Sequence, residues 1–208
     1  MPEVFIYLED EKEQIMRLKQ KPKRRFFIDI GAFLGEYCIN LSENFDIIWA
    51  FEPAKDSREG LVKLRDNLNA TNIQVFPEAL SDFKGRGTLF RHPKSAGGGL
   101  TGQTGLKNGF GNPDSGDWFP IDRVDVVKLD DLTLDTIDLL KIDAEGNEIE
   151  VLKGAKRTLK RTKEIYIELH GPHKDALAQK VIKLLKQGNF RNIERVGNEG
   201  RLVHAERT

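Results

Sequence analysis

The apolar residues of this chain fall in short, dense runs. "RFFIDIG" (25–31), "DIIWAFEP" (46–53) and "NIQVFPEAL" (72–80) are rich in β-branched and aromatic residues, and each predicts a strand. The segments between them, 35–44 and 56–69, read as helices. Further on, "TIDLLKIDAEG", "KEIYIELHG", "FRNIERVG" and "RLVHAER" predict more strands, with helices at about 147–161 and 174–187 after the first two. In the second of these helices Leu177, Val181, Leu184 and Leu185 recur at helical spacing, the pattern of a core-facing stripe. "EDEKEQIMRLKQ" (9–20) has acids at its front, bases at its back and Pro22 beyond, the order a short helix favours, and it is expected to cover one edge of the fold. Strands alternating with helices of this length predict an α/β protein with a largely parallel sheet covered on both faces.

In such a sheet, right-handed crossovers bring successive strand ends to one rim, and ligands bind there where the winding reverses. The polar motifs lie at those ends: Asp29-Ile30-Gly31, Glu52-Pro53, Glu78-Ala79, Asp143-Ala144-Glu145-Gly146 and Glu168-Leu169-His170-Gly171. Gly31 suits a backbone turn with a close ligand approach, and Gly35 lets the next helix start hard against the strand. The spacing is D-x-G-x-x-x-G, with Phe33 where a dinucleotide site would have its middle glycine, so a pyrophosphate would be crowded. Asp29 suits an ammonium group, directly or through water. Glu52, about twenty residues on, is placed for ribose hydroxyls. Glu78 suits the exocyclic amine of adenine, with the Ala79 N–H meeting a ring nitrogen. Ammonium, ribose and adenine together describe S-adenosyl-L-methionine.

Composition narrows the classes. A length of 208 residues favours one domain, and 33 basic against 33 acidic residues leave no overall field toward nucleic acid or anionic lipid. The six bases between Arg17 and Arg25 read as a solvated helix end and linker rather than a phosphate site. Cys38, the single cysteine, reads as a small core residue and suits a reducing compartment. No run approaches the ~18 apolar residues of a membrane span and the first residues lack a basic leader, so the expectation is a soluble, cytoplasmic protein. Residues 1–25 are expected to be an N-terminal helical extension and 26–208 the main domain. Inside it, 93–120 holds eight of the 19 glycines and reads as a long excursion between paired strands, "GRGTLFRH" and "VDVVKLDDL". Two readings stay open for it, a mobile loop without a role and an acceptor-binding lid with Trp118 and Phe119 as its flat apolar faces, and the lid is the one preferred.

The blocks "FIDIGAFLGEY", "AFEP", "NLNATNIQVFPEALSD", "VVKLDDL", "IDLLKIDAEGNEIEVLKGA" and "IYIELHG" resemble the FkbM-type methyltransferases, within the Rossmann-like S-adenosylmethionine-dependent class. The resemblance covers roughly residues 26–171, and "KIDAEGNEIEVLKGA" is its most specific part. It implies a class I methyltransferase sandwich, with a mostly parallel seven-stranded sheet and an antiparallel last hairpin. It also implies methyl transfer to oxygen on a small-molecule acceptor, often a sugar or polyketide hydroxyl. The chain departs from the family at Phe33, whose bulk alters the methionine end of the pocket.

A hydroxyl acceptor benefits from a base as its proton leaves. His170, two residues after Glu168 and on the same strand face, is the first candidate, followed by Asp143 and Glu145. Lys141 reads as strand-flanking or as a salt-bridge partner, and His92, His173 and His204 as bland. Asp143, Glu168 and His170 offer oxygen and nitrogen ligands to a metal, but Mg²⁺ prefers oxygen and cofactor binding accounts for Asp143, so no metal is expected. Two other classes are compatible with the motifs: a module that binds the cofactor or a nucleoside without turnover, and a nicotinamide-dependent oxidoreductase.

Overall fold

The computed structural model describes residues 11–91, 104–106, 119–132, 135–170, 174–197 and 200–207. The chain runs α1 (Lys12–Lys19), β1 (Arg24–Ile30), α2 (Glu36–Asn40), β2 (Phe45–Phe51), α3 (Lys55–Asn67), β3 (Ile73–Phe76), β4 (Ala79–Leu80), β5 (Gly85–Arg91), β6 (Thr104–Leu106), β7 (Phe119–Val127), β8 (Ile137–Ile142), α4 (Glu148–Lys153), α5 (Lys156–Leu159), β9 (Thr162–Glu168), α6 (Lys174–Gln187), β10 (Asn192–Val196) and β11 (Leu202–Glu206). Seven strands form one sheet in the order β10-β11-β9-β8-β1-β2-β3. All neighbours pair in parallel except β11, which is antiparallel to both β9 and β10. This is the class I methyltransferase arrangement with its reversed last hairpin.

The two-residue period of the strands sorts the core. Phe26, Ile28 and Ile30 of β1 join Leu140, Ile142, Ile165 and Ile167 under the helices α4 to α6, where Val151, Leu152, Val181 and Leu185 meet them. Phe27, Ile48, Leu139 and Tyr166 face the other way, against Ile15 and Leu18 of α1, Tyr37 and Cys38 of α2, and Leu61 of α3. Cys38 is therefore a buried core thiol. By the same alternation Asp29, Lys141 and Glu168 lie on this second face, beside Phe27, Leu139 and Tyr166. Winding proceeds outward from β1 through β2 and β3 on one side, and from β8 to β9 on the other. The switch point is thus between β1 and β8.

α1 packs into this second core through Ile15 and Leu18, both fully buried. The basic run behind it is taken up by acids: Arg17 with Glu194, Lys21 with Glu164 and Glu206, Lys23 with Asp46, Arg24 with Glu164, and Arg25 with Asp135. The helix expected over 147–161 is two short ones, broken at Gly154-Ala155. A Cβ on Gly154 would stand 2.0 Å from the Ser81 carbonyl oxygen, so the chain presses against the neighbouring segment there and the helix ends.

The strands flanking the glycine-rich stretch do pair: β5 lies antiparallel to β7, and with β4 and β6 they form a second sheet in the order β4-β7-β5-β6. Ala79, Leu89, Val124 and Val126 pack with Ala54, just ahead of α3, in a small core of their own. Arg91 of β5 pairs with Asp56 of α3 at 2.7 Å, so the stem is tied to the rim beside the second strand end. Trp118 and most of 93–120 lie outside the described residues, as do His92 and His173. Phe119, which opens β7, is 45% exposed.

Candidate active site

At the switch point β1 and β8 put an acid and a base side by side. The register sets Asp29 opposite Lys141, and the Lys141 Nζ lies 3.7 Å from Asp29 Oδ1 and 3.1 Å from Asp143 Oδ2. It also donates to the Gly31 carbonyl at 3.2 Å. Lys141 is thus a salt-bridge partner, as one sequence reading had it, but a buried and central one. Against the cost of burial, the charges of Asp143 and Asp29 hold its pKa well above the usual lysine value. In turn Asp143, although burial pushes it up, is kept below the usual carboxylate value by Lys141 and His170. Burial wins at Asp29, whose pKa is raised. Asp29 is fully buried and its Oδ2 accepts from the Cys38 N–H at 3.2 Å.

Gly31 is where the two strand ends touch. Its φ is +73°, and a Cβ there would sit 1.7 Å from the carbonyl oxygen of Asp143, so no other residue fits. Gly35, at φ +99°, caps α2, and a Cβ would run into Leu61 and Ile39 at 2.6 and 2.7 Å. Phe33 between them also takes a left-handed conformation, φ +49°, and its N–H donates to Glu52 Oε2 at 2.8 Å. The other Glu52 oxygen accepts from the Ala54 N–H at 2.8 Å, so one buried carboxylate ties the loops after β1 and β2 together. Burial raises Glu52 to a pKa of about 7. Glu78 and Ala79 sit where β3 hands over to β4, with Glu78 Oε2 buried and without a hydrogen-bond partner.

The ends of β8 and β9 gather the remaining predicted residues. His170 Nε2 stands 3.6 Å from Asp143 Oδ1, 3.7 Å from Glu145 Oε2 and 3.6 Å from Glu168 Oε1. Its Nδ1 is 2.9 Å from Oε1 of the fully buried Glu148, which also accepts from the Gly146 N–H at 2.8 Å. Although burial works the other way, the Glu148 hydrogen bond and the charges of Asp143 and Glu145 raise His170 to a pKa of about 10. Glu145, in a left-handed turn at φ +48°, is pushed up by burial to about 7. Glu168 is held by Arg201. Asp143 Oδ1 and Glu148 Oε2 are buried without hydrogen-bond partners, as is Asp29 Oδ1.

A family model described as the methyltransferase FkbM domain matches residues 29–192. The chain belongs to this family. It is a methyltransferase. The 2-O-methyltransferase NoeI of Sinorhizobium fredii is 32% identical to it, over 74% of this chain and 67% of that protein. Among solved structures, the FkbM methyltransferase of Methylobacillus flagellatus superimposes with a TM-score of 0.61 at 17% identity, over 90% of this chain but only 45% of that one. The magnesium protoporphyrin IX methyltransferase of Synechocystis, solved with S-adenosylmethionine bound, gives 0.55 at 10% identity over 95% of this chain and 77% of its own. At such identities these two structures speak for the fold.

Three buried acids at this site stand outside the sequence-predicted set. Glu148 supports His170, Glu36 lies in α2, and Glu11 ahead of α1 is raised to a pKa of about 8, by burial first, despite Lys141. Two of them do carry a signal. Glu11 precedes Ile15 and Leu18, and Glu148 precedes Val151, Leu152 and Ala155, so each is an acid at the head of an apolar helical stripe. An acid on a core-facing stripe is costly unless something meets it.

Proposed function

We propose that this chain transfers the methyl group of S-adenosyl-L-methionine to a hydroxyl oxygen of a small-molecule acceptor, with a sugar or similar polyol the first class to try. The observation that carries it is a set of buried carboxylate oxygens at the strand ends without a hydrogen-bond partner, Asp29 Oδ1 and Asp143 Oδ1 at the switch point and Glu78 Oε2 after β3, acceptors that a cationic, donor-bearing ligand would satisfy. Family membership and a relative named as a 2-O-methyltransferase support the reading. When bound, the cofactor supplies a methyl already activated by its sulfonium. The residues assigned to hold it are Asp29 toward the ammonium end through bridging water, Gly31 and Gly35 for close backbone approach, Glu52 for the ribose, Glu78 and Ala79 for the base, and Asp143 near the sulfur.

The acceptor oxygen has to be aligned with that methyl, and positioning alone can lower a barrier by roughly 7–11 kcal/mol. With the cofactor bound, the acceptor hydroxyl would give up its proton on methylation, and a residue of this chain would serve as the base. Glu145, with 28% of its side chain exposed against 20% for Asp143 and 8% for His170, presents the most open basic group of the three and is assigned first. A cofactor-binding module without turnover is the competing reading. Titration calorimetry with S-adenosylhomocysteine, followed by transfer of labelled methyl to a panel of polyols, separates them. Heat with no transfer to any acceptor would favour the module, and no heat at all would end both readings.

A further inference from the structure

Helix α1 lies along the second face of the sheet in a register that its contacts fix. Lys21, just past its end, stands 2.6 Å from both Glu164 and Glu206, which face each other across β9 and β11. Earlier in the helix, Arg17 meets Glu194, level with His204 and Tyr166. Gln14 comes next. Its Nε2 is 3.8 Å from where a Cβ on Gly197 would stand, just past Val196, which pairs with Leu202 and so lies level with Glu168. The helix therefore climbs antiparallel to β9, from the Glu164 end to the Glu168 end. Its head is Glu11, whose carbonyl accepts the Ile15 N–H at 3.0 Å. At about 1.5 Å per residue, Glu11 stands roughly 4.5 Å beyond Gln14, over the strand ends.

There Glu11 is in the field of Lys141 and Asp143 from the end of β8, Glu168 from the end of β9 and Glu36 from the head of α2. Tyr37 of α2 reaches the same place. The Lys141 Nζ is 5.1 Å from the centre of its ring, and after burial it is the Glu11 charge that acts most on its hydroxyl. Glu11 and Gln14 are only 5% exposed and Tyr37 1%. Gln14 Oε1 and Tyr37 Oη are buried without a hydrogen-bond partner, as is Asp143 Oδ1. A fold carries such atoms at a cost unless something from outside meets them.

We infer that the head of α1, with Tyr37, is the wall that reads the acceptor: Glu11, Gln14 and Tyr37 hydrogen-bond the hydroxyls that neighbour the methylated one in an uncharged polyol. This rests on the methyl-transfer reading above and adds to it the residues that select the acceptor. The mix of atoms chooses the class. A cation would meet only the acceptors, with Lys141 already among them, and an anion would face Asp143 and Glu168. The Tyr37 hydroxyl both donates and accepts, while the Gln14 oxygen only accepts. Burial first, with the neighbouring acids and against Lys141, raises Glu11 to a pKa of about 8, so near neutrality its carboxyl keeps its proton and can also do both. An aliphatic hydroxyl gives one hydrogen bond and takes others, which satisfies all three.

The test uses the whole chain, with myo-inositol, methyl α-glucoside and their monodeoxy analogues as acceptors in labelled methyl transfer. Tyr37→Phe, Gln14→Met and Glu11→Ala should each raise the acceptor KM about 5- to 10-fold, more than they lower kcat, as for one lost hydrogen bond. Glu11→Gln, which keeps a donor and an acceptor, should restore part of that loss. The analogue lacking the hydroxyl that Tyr37 meets should cost the parent a similar factor and Tyr37→Phe nothing further. Urea midpoints of Tyr37→Phe and Gln14→Met should hold level or rise, since each removes a polar atom that the free fold leaves unpaired. Unchanged KM in every variant, with or without a lowered midpoint, would make this a structural pocket around water and overturn the proposal. Transfer to neither polyol overturns it as well. Calorimetry with S-adenosylhomocysteine keeps the two readings apart: its heat should be the same in parent and variants, and in either overturning case that heat leaves methyl-donor binding standing. No heat with the parent removes the methyl-transfer reading and the acceptor wall with it.

Discussion

Two histidine–carboxylate clusters share strand β9, and they have opposite characters. Glu164 and Glu168 sit on one face of the strand, four residues and roughly 13 Å apart, with Tyr166 between them stacked on His204 at 4.3 Å. At the Glu164 end, Lys21 and Arg24 arrive from the segment after α1 and meet both oxygens of Glu164 at short distance. At the Glu168 end Lys141 holds one oxygen of Asp143 and Arg201 holds the Glu168 oxygen nearest the histidine, while Asp143 Oδ1, 3.6 Å from His170 Nε2, has no hydrogen-bond partner. The residue types are the same at both ends. What separates a structural knot from a candidate site is which partners the rest of the chain delivers, and which it withholds.

The sharpest way to break this contrast is to exchange the consequences. Asp143→Asn should cost turnover roughly 10³-fold in kcat/KM, as expected for loss of a positioned acid–base or electrostatic group, measured by labelled methyl transfer. Glu164→Gln should instead destabilise the fold by about 3 kcal/mol, because Lys21, Arg24 and His204 lose their shared carboxylate, while turnover per folded molecule stays at the parent level. Urea unfolding gives the first quantity and an assay corrected for folded fraction the second. If Glu164→Gln also silences the enzyme at matched folded fraction, the division between the two ends is lost.

The pH dependence of stability sharpens it further. Glu164 is driven down to a pKa of about 2; burial opposes this, but the hydrogen bonds from His204 and Lys21 prevail. A carboxylate whose folded pKa is depressed stabilises the fold fully above its ordinary value near 4.5, and loses that contribution as pH falls toward 2. The expected loss over this window is about 2–3 kcal/mol. Urea midpoints measured from pH 5 to pH 2 should show it in the parent and a flatter profile in Glu164→Gln. Equal slopes would mean that another carboxylate governs the acid limb.

The smallest expected effect tests the proposed acceptor side, through the exposed Phe119 of β7. Phe119→Ala should raise the acceptor KM a few-fold, on the order of 1 kcal/mol, and leave the heat of S-adenosylhomocysteine binding unchanged. A change in cofactor affinity instead would place Phe119 on the wrong side of the crevice.

Much of this architecture is legible in the chain, for a physical reason. "RFFIDIG" and "TIDLLKIDAEG" end in acids because strand ends at a switch point lose their core neighbours on one side, and periodicity reveals where that happens. The break at Gly154 could not be foreseen, since it depends on a carbonyl from Ser81, far away in sequence. Lys141 looked peripheral because nothing local tells a lysine that Asp29 and Asp143 await it in the interior. The flanking runs 85–92 and 124–132 were expected to pair; the observed partner of β5 is Phe119–Val127, which starts earlier, and its joining with β4 into a separate sheet goes with Ala54 and Ala79 packing across the rim.

Glu52 offers one more consequence. Both of its oxygens are engaged by the N–H groups of Phe33 and Ala54 before any ligand arrives. The loops at this end of the crevice are therefore set during folding, and a visiting molecule meets a rigid wall with spare lone pairs rather than two strands of slack chain. Association at that wall should cost little ordering entropy, which places the slow rearrangements of the catalytic cycle elsewhere, on the acceptor's side.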